Sequence, residues 1–226
     1  MPDSAIRTIG KHLTYKYLVG QTDITGNDWG DIFAKGIGGR HLGAPLGIDD
    51  VVYDKQAWST KTVQAKYPHK AGNQMNLISG RNDVGFSFGI DNPRDDIEKT
   101  GTQVLGIYNE RLGVVKSNYE SLRTCILIRN MKKLEFSIVE FEAVRFNPND
   151  YYWILNKDKN PLGNIWGYEK DTNVKRFTYQ PGGTQFTIHY SIPTSSQKFT
   201  IKTPPILDFE ETMEQIKYDD TWVTII

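Results

Sequence analysis

The feature that most limits what this chain can become lies between Gly101 and Leu122. Val104, Tyr108, Leu112, Val115, Tyr119 and Leu122 follow one another at spacings of four, four, three, four and three. That rhythm is one face of a 3.6-residue period and predicts an amphipathic helix over about residues 101–120, capped by Thr100 or Thr102. A helix with one apolar stripe must bury it, and strand-type sequence on both sides supplies a sheet to bury it on. Upstream, residues 50–53 and 57–65 are rich in Val, Trp and Thr and read as a hairpin turning near Asp54-Lys55-Gln56. Downstream, residues 124–128 form an apolar run of central-strand type. Residues 133–146 alternate with two slips of phase, which predicts bulges, and 151–155 read as a short strand. Residues 177–180 and 185–192 pair around Pro181-Gly182-Gly183, with Phe186, Ile188, Tyr190 and Ile192 on the inner face. The opening third holds short helical stretches, including 28–37, and then a glycine-rich loop over 36–47.

The expected class is therefore α/β: a mixed central sheet flanked by helices, with an antiparallel β extension in the C-terminal half. With 226 residues and neither a repeat nor a low-complexity linker, one domain is expected over 1–226. Its core lies at about 28–130, followed by a β-rich part for recognition and packing at about 131–226.

Charge and cysteine usage narrow the function classes. Twenty-seven basic and twenty-seven acidic residues cancel, which argues against a non-specific nucleic-acid coat protein. The charge is nevertheless uneven along the chain. Between Lys35 and Arg81 stand seven Lys or Arg against three acids, and between Leu207 and Asp220 six acids against Lys217. The single cysteine, Cys125, sits in an apolar run and reads as a buried structural thiol, which suits a reducing cytoplasm. No segment approaches the apolar run of about 18 residues that spans a bilayer, so no membrane partner is expected. The four histidines show no zinc-ligand spacing with the cysteine; His41 and His69 fall in loops, and His189 on the polar side of a strand.

The chemically informative segment is Gly47-Ile48-Asp49-Asp50-Val51-Val52 followed by Ala57-Trp58-Ser59-Thr60-Lys61-Thr62-Val63. Asp50 precedes Lys61 by eleven positions across the hairpin turn, so an acid on one strand and a lysine on its partner converge. Period-two alternation puts Ser59 and Lys61 on one face, with Trp58, Thr60 and Thr62 on the other. A lysine among apolar and β-branched neighbours needs a counter-charge or loses its proton. Hydrolysis of a phosphodiester calls for such a pair: a carboxylate to hold a divalent cation, and a cationic side chain to position the attacking water.

This Asp–hairpin–x-x-Lys pattern resembles the PD-(D/E)xK nuclease superfamily, and within it the type II restriction endonucleases. Asn76-Leu77-Ile78-Ser79-Gly80-Arg81-Asn82, Phe86-Ser87-Phe88-Gly89 and the stretch from Arg176 to Ile188 extend the resemblance over roughly 28–190. It implies a restriction-endonuclease-like fold and Mg2+-dependent cleavage of double-stranded DNA at a palindromic site, leaving 5′-phosphates. It also implies a homodimer in a bacterial cytoplasm. Asp50, or its neighbour Asp49, becomes the first metal-binding acid, Lys61 the lysine on the nucleophilic water, and the Thr60 carbonyl a further ligand. The sequence departs from the family at Ser59, where Glu or Asp is usual; Asp28 and Asp31 upstream are the acids that can substitute, ahead of Asp54 at the turn. The alternatives are a structure-selective nuclease such as a junction resolvase or repair nuclease, and a non-catalytic β-rich binding module.

DNA contacts follow from side-chain chemistry. Arg40 and His41 lie among glycines that let the backbone approach a phosphate. Arg81 and Asn82 are the types that pair bidentately with guanine and adenine. Lys66, His69 and Lys70 suit phosphates, and Arg176, Tyr179, Gln180 and Gln185 around the late hairpin suit a groove.

Overall fold

Helices come first along the chain: α1 (Asp3–Leu18) and α2 (Gly26–Ile37). Short strands β1 (Arg40–His41) and β2 (Val51–Tyr53) lead into β3 (Gln56–Gln64) and β4 (Gln74–Arg81). Helices α3 (Val84–Phe88) and α4 (Ile97–Lys116) precede β5 (Ser121–Asn130), β6 (Glu135–Glu142), β7 (Tyr151–Asn156) and β8 (Asn164–Glu169). Then come β9 (Lys175–Gln180), β10 (Gln185–Ser191), β11 (Gln197–Thr200) and α5 (Phe209–Gln215). These elements belong to a computed structural model that describes residues 1–43, 49–158 and 160–224. The expected glycine-rich loop and the Gly47-Ile48 pair lie partly or wholly outside the described residues.

The strands sort into two sheets, so the protein is mixed α/β. The first has the order β1-β2-β3-β5-β6-β11 and the second β4-β10-β9-β8-β7. All neighbours are antiparallel except β3 and β5, which run parallel from Gln56↔Ser121 to Gln64↔Arg129. Parallel neighbours need a crossover, and α4 returns the chain to the start of β5. One face of the first sheet packs Val51, Trp58, Cys125, Leu127 and Phe136 against Ile9 and Leu13 of α1 and Trp29 and Phe33 of α2. Its other face meets α4 and the second sheet, where Ala57 and Leu122 join Tyr108, Leu112, Phe177 and Phe186.

The helix expected from periodicity is present, but it starts and ends earlier, so Tyr119 falls outside it and Leu122 lies on β5. Asp96 is the cap, its carboxylate accepting from Lys99 N. The stripe from Val104 to Val115 is buried against the second sheet. Thr100 is instead internal, its hydroxyl donating to Pro93 O. Close approach explains a glycine inside this helix: a Cβ on Gly101 would lie 2.1 Å from the Trp153 ring.

The bulges expected in 133–146 are absent. β6 pairs with β5 in unbroken register from Arg123↔Glu142 to Asn130↔Glu135. Phe136, Ser137, Ile138 and Val139 are all buried because this strand is covered on both faces, and two-sided burial mimics a slip of phase. The register shifts lie elsewhere, between β10 and β4 and between β8 and β9. The antiparallel extension is a sheet in its own right that recruits β4 from the first half, while β6 and β11 from the second half complete the first sheet. Cys125 is fully buried, as expected, and burial pushes its thiol pKa up.

Candidate functional site

Asp50 and Lys61 come together because β2 is short. Pairing of β2 with β3 ends at Val51↔Trp58, and the preceding chain turns toward β1, with Leu42 N donating to Asp50 O. The edge of β3 beyond Trp58 is therefore open on that side. Asp50 fills the gap: its Oδ2 accepts the Thr60 N–H at 2.7 Å. The hydroxyls of Ser59 and Thr60 each lie 3.4 Å from the same oxygen, and the Lys61 ammonium 3.7 Å from it. All four contacts converge on Oδ2; among the described residues Oδ1 has no hydrogen-bond partner. A strand residue directs its N–H and C=O to the same edge, so the Thr60 carbonyl also opens toward Asp50.

Ser59 and Lys61 share the face of Ala57, as alternation requires, and look into the seam between the two sheets. There a cavity of about 40 Å³ is lined by Ser59, Lys61, Ser79, Tyr108, Thr124 and Tyr190, among others, enough for ordered water. Lys61 is about one-third exposed, so the pair is reachable from solvent. Burial raises the Tyr108 pKa, with the Tyr190 phenol adding to the effect. Burial likewise pushes Tyr190 up to about 12, against a smaller opposing pull from Arg176. Both phenols stay protonated at neutral pH and line the seam with O–H groups.

Of the other acids, Asp28 and Asp31 have partners outside this pair. Asp28 belongs to a capping box with Thr25, and also receives Lys16 Nζ at 2.5 Å and Gln21 Nε2 at 2.7 Å. Burial raises its pKa, but these hydrogen bonds outweigh burial and hold the carboxyl well below the usual range. Its oxygens are taken by Lys16, Gln21 and Thr25, so it is not free to ligate a cation. Asp31 accepts from His41 Nδ1 at 2.7 Å, tying α2 to β1, and is half exposed. Asp49 is half-buried beside Asp50, and Asp54 occupies the hairpin turn with φ 51°. No group of three or more His, Cys, Asp or Glu side chains converges among the described residues.

The residues expected to touch DNA divide in two. Arg81, Gln185 and Gln180 form one row, for Gln185 pairs with Arg81 on β4 and with Gln180 on β9. Gly80, at φ 120°, carries the chain through the β4 irregularity just before Arg81, whose carbonyl accepts from Arg111. Arg40 is exposed on β1. Asn82 is different: it is fully buried and its Nδ2 donates to Val104 O on α4 at 2.8 Å. It staples the end of β4 to the helix, so its amide does not face a groove. Arg176 is held by Glu169 at 2.6 Å, and Tyr179 is buried in the core. Lys66 and Lys70 are exposed beyond the end of β3.

His189 sits on the face of β10 opposite Ile188, yet is buried. Its Nδ1 donates to Asn76 Oδ1 at 2.7 Å and its Nε2 accepts from Thr178 Oγ1 at 2.8 Å. Sequence reasoning missed the lining residues Ser79, Tyr108, Thr124 and Tyr190. The two tyrosines carried the signal of core residues, and the seam exists only once the sheets meet.

No helix among the described residues is long and apolar enough to cross a membrane. No protein-family model matches the chain, nor does any curated protein or solved structure.

Proposed function

We propose that this protein is a Mg2+-dependent endonuclease that cuts double-stranded DNA at a short palindromic sequence, a type II restriction endonuclease of the PD-(D/E)xK superfamily. The observation that carries the reading is the 3.7 Å approach of the Lys61 ammonium to Asp50 Oδ2 at an open strand edge beside the seam. Supporting it is the surrounding order of elements: α1 and α2 on one face of the hairpin, then α4 returning the chain to β5 parallel to β3.

The donor set fits a small hard cation: one carboxylate oxygen without another claim, a main-chain carbonyl and a hydroxyl, with water and substrate phosphate as the remaining ligands. Bound magnesium would supply Lewis-acid charge to the phosphoryl oxygens and acidify a bound water. Asp50 would hold the cation through Oδ1, since Oδ2 is anchored on the Thr60 N–H. The Thr60 carbonyl would add a second ligand, and Ser59 places a hydroxyl where the superfamily usually has an acid. Lys61, on the same strand face as Ser59, orients the attacking water and balances the charge gathering at phosphorus. The row Arg81–Gln185–Gln180 reads base edges, with Arg81 suited to guanine. A palindromic target calls for a two-fold homodimer, and the products carry 5′-phosphates.

The test is incubation of the full chain with long mixed-sequence duplex DNA, with Mg2+ and separately with EDTA. Discrete fragments formed only with Mg2+ are expected, and Lys61→Met should abolish them. Cutting confined to branched DNA would replace the reading with a structure-selective nuclease, and no metal-dependent cutting would replace it with a β-rich binding module.

A further inference from the structure

The loop that follows β3 carries a set of cations that the cutting site does not use. Tyr67, about half exposed, stands between two lysines: Lys66 Nζ lies 5.3 Å from its ring centroid and Lys133 Nζ 4.8 Å. The two ammonium groups are therefore within about 10 Å of each other, about one screening length at 0.1 M salt, and their potentials add. Beside them a depression of about 630 Å³ is lined by Tyr67, His69, Lys70, Lys133 and Glu135. Among the described residues no carboxylate forms an ion pair with Lys66, Lys70 or Lys133.

The segment that carries these lysines is tethered at three points. Asn130 donates from Nδ2 to Lys66 O at 3.1 Å and accepts Lys133 N at Oδ1 at 3.2 Å, joining the two lysine-bearing segments through one side chain. Ser137 donates to Pro68 O at 2.9 Å from a fully buried position. His69 Nε2 lies 3.0 Å from Phe136 O and 3.2 Å from Phe199 O, and two carbonyl partners require that this nitrogen carry the proton. The tethers fix the loop across the ends of β5, β6 and β11. Like charges gathered on one tethered segment repel, and a bound anion offsets that repulsion.

We propose that the Lys66–Tyr67–Lys133 shelf, with Lys70 at its side, is a second nucleic-acid contact that grips phosphodiester groups away from the site of cutting. The shelf itself is independent of the nuclease reading, while the choice of nucleic acid as the source of the phosphate rests on it. Such a contact contributes affinity without base preference, through counterion release.

The test measures binding of the full chain to a fluorescent mixed-sequence duplex in EDTA, from 50 to 200 mM salt, for the parent and for Lys66→Ala/Lys133→Ala. Two lost phosphate contacts should make the slope of log K against log salt shallower by about 1.8. The double variant should then lose about twelvefold less affinity than the parent across that range. Asn130→Ala keeps every charge; it should weaken binding at 50 mM salt while leaving the slope unchanged, as expected of a positioning residue. An unchanged slope in the double variant overturns the proposal. So does a variant that loses binding to phosphatidylserine vesicles but not to duplex, since the phosphate would then belong to a lipid surface. Altered slope without any cleavage removes the nuclease reading alone, and cleavage with unaltered slope removes the shelf alone.

Discussion

Asp50 holds both a structural and a proposed chemical role, and two substitutions separate them. In Asp50→Ala the Thr60 N–H loses its 2.7 Å acceptor at a residue only 5 % exposed. An unsatisfied buried amide costs about 1–3 kcal/mol. Loss of the 3.7 Å approach to Lys61 adds little, because a pair at this exposure is screened and is worth below about 1 kcal/mol. Asp50→Asn keeps an amide oxygen to accept from Thr60, so its cost should stay under about 1 kcal/mol. Both variants remove the anionic ligand. If that ligand contributes several kcal/mol to stabilising the transition state, cleavage falls by about a thousandfold or more at 1.36 kcal/mol per decade. Urea unfolding should thus rank the parent and Asp50→Asn together, with Asp50→Ala below, whereas Mg2+-dependent cutting of duplex DNA should group the two variants together at background. An Asp50→Asn protein that cuts within about threefold of the parent would refute the assignment of Asp50 to the cation.

Three further outcomes are expected. Burial, aided by the Lys175 charge, holds His189 neutral with its pKa down at about 4, whereas the unfolded chain titrates near 6.5. The unfolded state then binds more protons between those values, so stability is unaffected above about pH 6.5 and falls as pH drops toward 4. At 1.36 kcal/mol per unit the loss reaches about 3 kcal/mol at most; urea midpoints of parent and His189→Gln from pH 7 to 4 check it, and equal acid sensitivity would sink it. Gly101→Ala drives a methyl into the Trp153 ring and should destabilise by about 1–3 kcal/mol; a thermal melt at the parent temperature would contradict the packing described. Arg81→Ala should weaken specific DNA binding by about 1–3 kcal/mol with little change in stability. Asn82→Ala should do the reverse, unfolding more easily while leaving base preference alone; titration against a target duplex together with urea unfolding distinguishes the two.

Much of the local structure was legible before any fold was known. The stripe from Val104 to Val115 specified α4, and the alternation from Phe186 to Tyr190 specified β10 and its inner face. In both cases backbone dihedrals determine where successive side chains point, and burial of one face leaves its period in the order of residues. The hairpin was legible for the same reason. The short turn brings Asp50 near Lys61, but the early end of β2 at Val51, which frees Asp50 to accept from Thr60 N, left no mark in the sequence.

Tertiary structure decided which surfaces meet. Nothing local in 74–81 says that β4 leaves the first sheet for the second, or that Asn82 turns inward to Val104 while Arg81 faces water. Asp28 looked like a spare acid until Lys16 and Gln21 arrived from α1 and the turn after it. The row Arg81–Gln185–Gln180 and the three-point tether of Tyr67 join segments separated by about a hundred and about seventy positions. Contacts at such separations depend on total burial and on loop closure, whose cost changes slowly with length and leaves little trace in neighbouring residues. The period of a segment therefore identifies its buried face, but only the assembled sheets determine what covers that face and where a seam between them leaves room for chemistry.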